Sequence, residues 1–173
     1  VEATSQEHLE QVAALLRDYL FWMRRRYSAH GELMDQYFDP AEWESELADL
    51  AGHYGAPFGA LVIARVDGVP AGCVMMRGIG EEVCEMKRLF VRPAFQGLGL
   101  ARAMVQKLTR LSCERGYESM RLETGPLQTE AQSLYRALGF TPIGPYYAFP
   151  EWMTKTGKFY EATTCRRTSR RVF

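Results

Sequence analysis

The order of periodic segments predicts one α/β domain, a sheet covered by helices, and three observations carry that reading. An Asp67-Gly68 pair separates two short apolar, β-branched runs, the pattern of a tight hairpin. A glycine-bearing loop, RPAFQGLGLA from Arg92 to Ala101, joins a strand-like run to a helix-like one. Strand and helix patterns then alternate to the end of the chain. With 173 residues, 47% hydrophobic and 24% charged, the chain has the size and composition of a single domain with one hydrophobic core.

Val1 to Ala3 offers material for an edge strand. From Ser5 to Arg17 and beyond, Leu9, Val12, Ala13, Leu16 and Leu20 fall on one face, with Glu7 and Glu10 near the start, so an amphipathic helix enters through Thr4 or Ser5. The next stretch, YLFWMRRRYSAHGELMDQYFDPAEW, is aromatic and basic. A helix from about Pro40 to Ala51 is capped by Asp39, with proline at its first position. Gly59 to Val66 and Ala71 to Arg77 make the hairpin, and after a turn at Gly78 to Gly80 a long central strand runs from Glu81 to Val91, ending before Pro93. Ala101, Met104, Val105, Leu108 and Leu111 recur at helical spacing up to Gly116. Ser119 to Thr124 reads as a strand, Glu130 to Leu138 as a helix stopped by Gly139 before another strand, and Gly157 to Cys165 as the last strand. No repeat, low-complexity tract or linker interrupts this order.

Several function classes are disfavoured by composition. The formal net charge is zero, so nothing global attracts nucleic acid or an anionic membrane. Arg166, Arg167, Arg170 and Arg171 are a local exception, read as a solvated, poorly ordered tail over 166–173 or, alternatively, as a basic arm for a polyanion. No apolar run approaches the roughly 18 residues of a membrane span and no signal-peptide pattern begins at Val1, so a cytoplasmic location is expected. Cys73, Cys84, Cys113 and Cys165 are scattered without a CxxC, far in sequence from His8, His30 and His53. The expectation is therefore reduced thiols, no metal site and no disulfide framework.

The loop from Arg92 to Ala101 is the most specific feature. Gly97 and Gly99 remove Cβ atoms where the chain turns tightly into a helix, so backbone N–H groups can converge on an anion where the helix dipole favours negative charge. A Walker loop would need GK[ST], which does not occur; a GxGxxG fingerprint fails because the sixth position from Gly97 is Arg102. What remains, QxxGxA from Gln96 to Ala101 after a strand and a VRP turn, resembles the acyl-CoA signature [RQ]xxGx[GA] of the GNAT superfamily of N-acyltransferases. Further on, AQSLYRALGF after the strand SMRLET is similar to the second GNAT motif, in which a strand, a loop and a helix complete the cofactor cleft.

The resemblance covers the chain to about Cys165 and implies a GNAT domain over 1–165 with a mixed, mostly antiparallel central sheet whose two central strands are splayed. It implies acetyl-CoA as cosubstrate, with Gln96, Gly97, Leu98, Gly99, Leu100 and Ala101 at the diphosphate and the backbone of Leu89, Phe90 and Val91 along the pantetheine arm. It places Tyr135, the tyrosine of LY, near the CoA sulfur, where a phenol protonated at neutral pH suits proton donation to the departing thiolate. The alternative for Tyr135 is an aromatic core residue beside Ala131, Leu134 and Leu138. Glu85, four residues before Leu89, occupies a position where several GNAT enzymes carry a glutamate base, with Glu81, Glu82 and Glu123 as companions; cleft burial is expected to raise its pKa. The alternative is an ion pair with Lys87, Arg88 or Arg121. Where many GNAT proteins carry asparagine this chain reads TGPLQTE, leaving Gln128 or Gln132 as substitutes.

The acceptor pocket of such a fold would be walled by RRRYSAHGELMDQYF and GPYYAFPEW, with Tyr27, Tyr37, Phe38, Tyr146, Tyr147, Phe149 and Trp152. These aromatics either hold an amine by cation–π attraction, about 0.5 to 2 kcal/mol each, or are ordinary packing residues. The resulting expectation is an acetyltransferase acting on a small-molecule primary amine in a ternary complex, without an acyl-enzyme, because no histidine is placed to activate Cys84. Rival readings are a non-catalytic acyl-CoA sensor and a transferase acting on a protein or an RNA-linked amine. A homodimer is left open.

Overall fold

In the computed structural model, β1 (Ala60–Val66) and β2 (Val69–Gly78) pair antiparallel out to Val66 and Val69, so Asp67 and Gly68 are the whole turn. Both turn residues have positive φ, 49° and 80°, which matches the twist of a two-residue hairpin. β2 pairs antiparallel with β3 (Val83–Val91), and β3 runs parallel to β4 (Ser119–Thr124). With β5 (Thr141–Ile143) and β6 (Lys158–Thr163) these form a six-stranded mixed sheet of order β1-β2-β3-β4-β6-β5. Val1 to Ala3, expected as edge-strand material, lies along β1 through an isolated bridge from Glu2 to Val62 and does not form a regular strand. The structure describes residues 1–165; the arginine-rich segment 166–173 lies outside them.

Helices cover both faces. α1 (Gln6–Arg26) is capped by Ser5, whose side chain accepts from the His8 amide at 3.2 Å. α2 (Gly31–Tyr37) forms in the aromatic stretch that showed no clear period. The helix expected from Pro40 to Ala51 is two, α3 (Pro40–Ala48) and α4 (Leu50–Tyr54), because Asp49 leaves helical geometry and caps α4 through the Gly52 amide at 2.8 Å. α5 (Leu100–Glu114), α6 (Thr129–Ala137) and the short α7 (Glu151–Thr156) complete the set; α7 was not predicted.

β2 sits between two cores: Cys73 and Met75 pack with α1 to α4, Val74 and Met76 with α5 and α6. A strand covered on both faces reads as a continuous apolar run, which is what Ala71 to Met76 provides apart from Gly72. Gly72 has its own reason, since a Cβ there would come within 2.5 Å of the Phe90 carbonyl oxygen on β3.

Two features of β3 open a space beside it and set its lining. Its ladder with β4 pairs Val83 with Ser119, Cys84 with Met120 and Glu85 with Arg121, and stops there, although β3 continues to Val91 and β4 to Thr124. The two strands therefore part beyond Glu85, which is the expected splay. On the β2 side the register shifts between Cys73 and Met75, which face Phe90 and Lys87, so β3 holds an extra residue. Arg88 lies in this bulge in a left-handed conformation, φ 58°.

One expectation is corrected. Cys113 and Cys165 form a disulfide with Cα atoms 5.1 Å apart, while Cys73 and Cys84 stay buried thiols. The end of β6 returns to the start of β4, where Thr164 bonds to the backbone of Glu118 and Tyr117, and this brings Cys165 to the last turn of α5. The link bears on the expected cytoplasmic location too, because disulfides are more usual in oxidising compartments. No helix among the described residues is long and apolar enough to cross a membrane.

Candidate active site

The glycine loop enters α5 with the geometry its sequence suggested. After a 3-10 turn over Pro93–Phe95, Gln96 donates from Nε2 to the Val91 carbonyl at 3.2 Å, tying the loop to the end of β3. Gly97 and Gly99 have φ of 81° and 76°, and Gly99 is the N-cap of α5. A Cβ on either would meet nothing within 4 Å, so the demand for glycine is conformational and the space over the loop is open. The first N–H groups of α5 have no intrahelical acceptor and form the positive end of its dipole.

Leu89, Phe90, Val91, Gln96, Gly97 and Ala101 line one cleft of about 360 Å³, closed by Trp22 and Arg26 of α1 and by Gln128, the N-cap of α6, with Glu130, Ala131 and Leu134 of that helix. Leu98, Gly99 and Leu100 lie beyond this lining, with Leu98 well exposed. The residues fit an acyl-CoA: β3 presents an unpaired backbone edge to the cleft, and the left-handed glycines and helix start lie at its end. Arg26 bonds the Leu127 carbonyl at 2.8 Å and Glu130 at 2.5 Å, and its guanidinium stacks on Trp22 at 4.9 Å, linking α1 to α6 beside the cleft.

A second, narrower cavity of about 30 Å³ adjoins the cleft at Leu89 and Gln128, which line both. Around it stand Tyr27 and Tyr37, Lys87 and Arg88, Glu123, Tyr135 and Trp152. Tyr135 is buried, in ring contact with Phe140 and Tyr160, so it is both a core aromatic and a wall of the cavity. Burial, reinforced by Tyr19, Glu123 and Tyr160, drives its phenol well above its usual pKa.

Glu85 is fully buried and accepts from both Tyr146 and Tyr147 hydroxyls at 2.7 Å, from Arg77 at 2.8 and 2.9 Å, with Lys87 at 3.8 Å. Burial pushes its pKa up, but Lys87, the two phenols and Arg77 together outweigh it and leave the carboxyl below its usual value. The shift expected from cleft burial is thus reversed in sign. Of the three cations expected as ion-pair partners, Lys87 does reach Glu85, whereas Arg88 pairs with Glu46 and Arg121 with Glu161. Glu123 stands in the cavity instead, bonded by Lys87 at 3.0 Å and by the Tyr37 hydroxyl.

The aromatic wall is partly as expected. Tyr27, Tyr37 and Trp152 line the cavity, Phe38 is in the core, Tyr146 and Tyr147 serve Glu85, and Phe149 stacks on Tyr147. The cation they hold is the chain's own: the Arg88 guanidinium lies 4.9 Å from Trp43, 5.3 Å from Phe38 and 5.9 Å from Tyr37. Arg88 binds Glu46 from Nε and Nη2 at 3.1 and 2.8 Å, and Glu46 also accepts from Tyr54 at 2.7 Å. Sequence reasoning missed this pair; the available signal was an arginine inside an apolar strand. Gln132 is spent on the Gly125 and Pro126 carbonyls, whereas Gln128 lines both spaces while accepting from the Gly125 amide at 2.7 Å.

Cys84 is no nucleophile here: burial pushes its thiol up to about 12, and its Sγ contacts the Ser119 carbonyl. Among the described residues no group of three or more His, Cys, Asp or Glu is placed to hold a metal.

The model of the acetyltransferase (GNAT) family matches residues 14–140. The chain is 39% identical over 109 residues to an uncharacterized N-acetyltransferase of Schizosaccharomyces pombe, spanning 62% of this chain and 67% of that one. It is 29% identical over 129 residues to human N-acetylaspartate synthetase, spanning 72% of this chain but 42% of that protein, so the chain spans less than half of that longer relative. Among solved structures, the PaiA N-acetyltransferase of Thermoplasma acidophilum, in complex with coenzyme A, superposes with TM-score 0.68 at 15% identity, covering 93% of this chain and 96% of that one. An acetyltransferase from Streptococcus agalactiae gives TM-score 0.70 at 17% identity, covering 94% and 96%. At such identities the likeness is one of fold.

Proposed function

The chain belongs to the acetyltransferase (GNAT) family, and from that premise we propose that it transfers an acetyl group from acetyl-CoA to a primary amine of a small molecule, by direct attack in a ternary complex. The observation that carries this reading is the junction at Leu89, where a cleft fitted to an acyl-CoA meets a polar cavity containing Tyr135 and Glu123. A small acceptor is in keeping with the cavity's size and with the name N-acetylaspartate synthetase borne by one of the relatives.

Acetyl-CoA supplies the thioester: the C–S bond breaks, a C–N bond forms, the amine gives up one proton and the thiolate takes one. In this chain the backbone of Leu89, Phe90 and Val91 holds the pantetheine amides, and Gln96 to Ala101 hold the diphosphate. Tyr135, kept protonated by burial, donates to the thiolate. Glu123 takes the amine proton, because it faces the cavity whereas both oxygens of Glu85 are already engaged. Glu85 is then a positioning residue, holding Lys87 beside Glu123.

The test is CoASH release from acetyl-CoA over a panel of small primary amines, beside calorimetry of acetyl-CoA binding. Turnover with a small amine supports the reading. Tight acetyl-CoA binding with no turnover across the panel supports a sensor, and turnover only with a peptide or an aminoacyl-RNA supports a macromolecular acceptor.

A further inference from the structure

Two residues that line the cavity each carry a buried hydrogen-bond donor without an acceptor. Arg88 commits Nε and Nη2 to Glu46, while its Nη1 is buried and unpartnered; Nε1 of Trp152 is likewise buried and unpartnered. Both residues line the cavity that also holds Leu89 and Tyr135, and both pack on Tyr37, Arg88 at 5.9 Å and Trp152 at 6.1 Å from its ring. Buried N–H groups are nearly always paired, so two orphans among residues lining one cavity point to an acceptor group there. Resting on the transferase reading above, we propose that the amine substrate carries a carboxylate close to its amine, as a short amino acid does, and that Arg88 Nη1 and Trp152 Nε1 bind that carboxylate.

Charge and size select this chemistry. Arg77, Lys87 and Arg88 face Glu46, Glu85 and Glu123 in the surrounding pairs, so the local charges are matched before substrate arrives. Glu46 engages one edge of the Arg88 fork, and Nη1 offers a charged donor on another. A plain alkylamine has nothing to accept from either donor. The cavity is small, about 30 Å³, and adjoins the acyl-CoA cleft at Leu89 and Gln128, so it favours a compact head group. With Leu89 and Tyr135 lining the same cavity, an amine only a bond or two from the carboxylate stays close to the proposed transfer point.

A site built to hydrogen-bond a group discriminates strongly against analogues lacking it, by factors of about 10² or more. The experiment pairs glycine, β-alanine, L-alanine and L-aspartate each with its decarboxylated amine and its carboxamide, measuring calorimetric binding to the CoA-loaded protein and CoASH release from acetyl-CoA. The wild type, Trp152→Phe and Arg88→Lys are compared, each with its melting curve. The carboxamide keeps more of its amine neutral near pH 7, which favours it chemically, so a preference for the acid comes from recognition.

The expected result is at least one amino acid exceeding its amine and amide about 10²-fold in kcat/KM. Trp152→Phe raises KM for that acid about tenfold with kcat little changed, and Arg88→Lys raises it further. Should Arg88→Lys fail to fold, Trp152→Phe decides alone. Equal or better turnover of the amine or amide overturns the inference and keeps the transferase reading. So does an acid-to-amine ratio unchanged in Trp152→Phe. Binding of an acid but not of its amide, with no turnover of any compound, keeps the carboxylate site and overturns the transferase reading; no binding of any acid overturns the inference.

Discussion

Lys87 Nζ lies 3.0 Å from Glu123 Oε1, joining β3 to β4 two residues beyond the last paired residues, Glu85 and Arg121. Where the ladder stops, a side-chain ion pair takes the place of backbone bonds. The pair thus marks the fork in the sheet and sits at the head of the space where transfer is proposed. Both side chains are nearly buried, 11% and 4% exposed, so breaking the pair by removing one charge is costly, about 3–5 kcal/mol in comparable cases.

Glu123→Gln keeps the shape and removes the carboxylate. If Glu123 takes the amine proton, kcat falls by about 10² near pH 7 and recovers as pH rises and the acceptor arrives already neutral. Glu85→Gln, by contrast, keeps a wild-type-shaped profile at reduced height. A pH–rate series from about 6 to 9 on both proteins separates the roles; an altered limb in Glu85→Gln with none in Glu123→Gln exchanges them.

Tyr135→Phe retains the ring contacts with Phe140 and Tyr160 and deletes the hydroxyl. The expected result is kcat lower by about 10² with acetyl-CoA affinity unchanged. A kcat equal to wild type assigns Tyr135 to packing alone.

Gly99→Glu puts a side chain at φ 76° and a negative charge at the start of α5. Acetyl-CoA binding weakens at least tenfold, about 1.4 kcal/mol, when followed by calorimetry. Unchanged affinity with an intact melting curve removes the loop from the diphosphate site.

Stability falls on the acid side through Glu46 and Glu85, both held below the usual carboxylate value. For each, burial raises the pKa, but paired cations and phenols lower it more. A depressed folded-state pKa contributes stability that is present above the unfolded value, about 4.3, and is lost as pH falls through the folded value. Melting temperature is therefore level near neutrality and drops below about pH 4–5. An acid limb identical in Glu85→Gln and wild type excludes Glu85 from this dependence.

The Cys113–Cys165 link cross-links the end of α5 to the end of β6. Cys113→Ser is expected to lower stability by about 2–4 kcal/mol under oxidising conditions and by nothing under strong reductant. Equal melting of the variant and the oxidised wild type contradicts the cross-link.

The sequence made the scaffold readable where periodicity and punctuation act locally. Asp67-Gly68, Pro40 after Asp39 and Gly97 with Gly99 each set the backbone by their own chemistry, so hairpin, helix start and cradle follow from neighbours. What depends on distant partners was not readable in that way. Arg88 becomes a buried cation because a bulge turns it toward Glu46, and Cys165 meets Cys113 only because β6 returns to the start of β4. Glu85 was identifiable as a strand carboxylate, but the sign of its pKa shift required Tyr146, Tyr147, Arg77 and Lys87 to converge on it. α2 and α7 were missed because their stretches carry aromatics without a helical period.

Acetyl transfer to a small amine is tested most directly by incubating the protein with acetyl-CoA labelled in the acetyl group and a mixture of small amines, quenching early and late, and following the label by mass spectrometry. The expected outcome is label on the nitrogen of a small amine, one CoASH released per product, and none on the protein at early times. Label that stays on CoA while the protein is saturated with it, or that appears first on a protein side chain, would contradict direct transfer to a small amine.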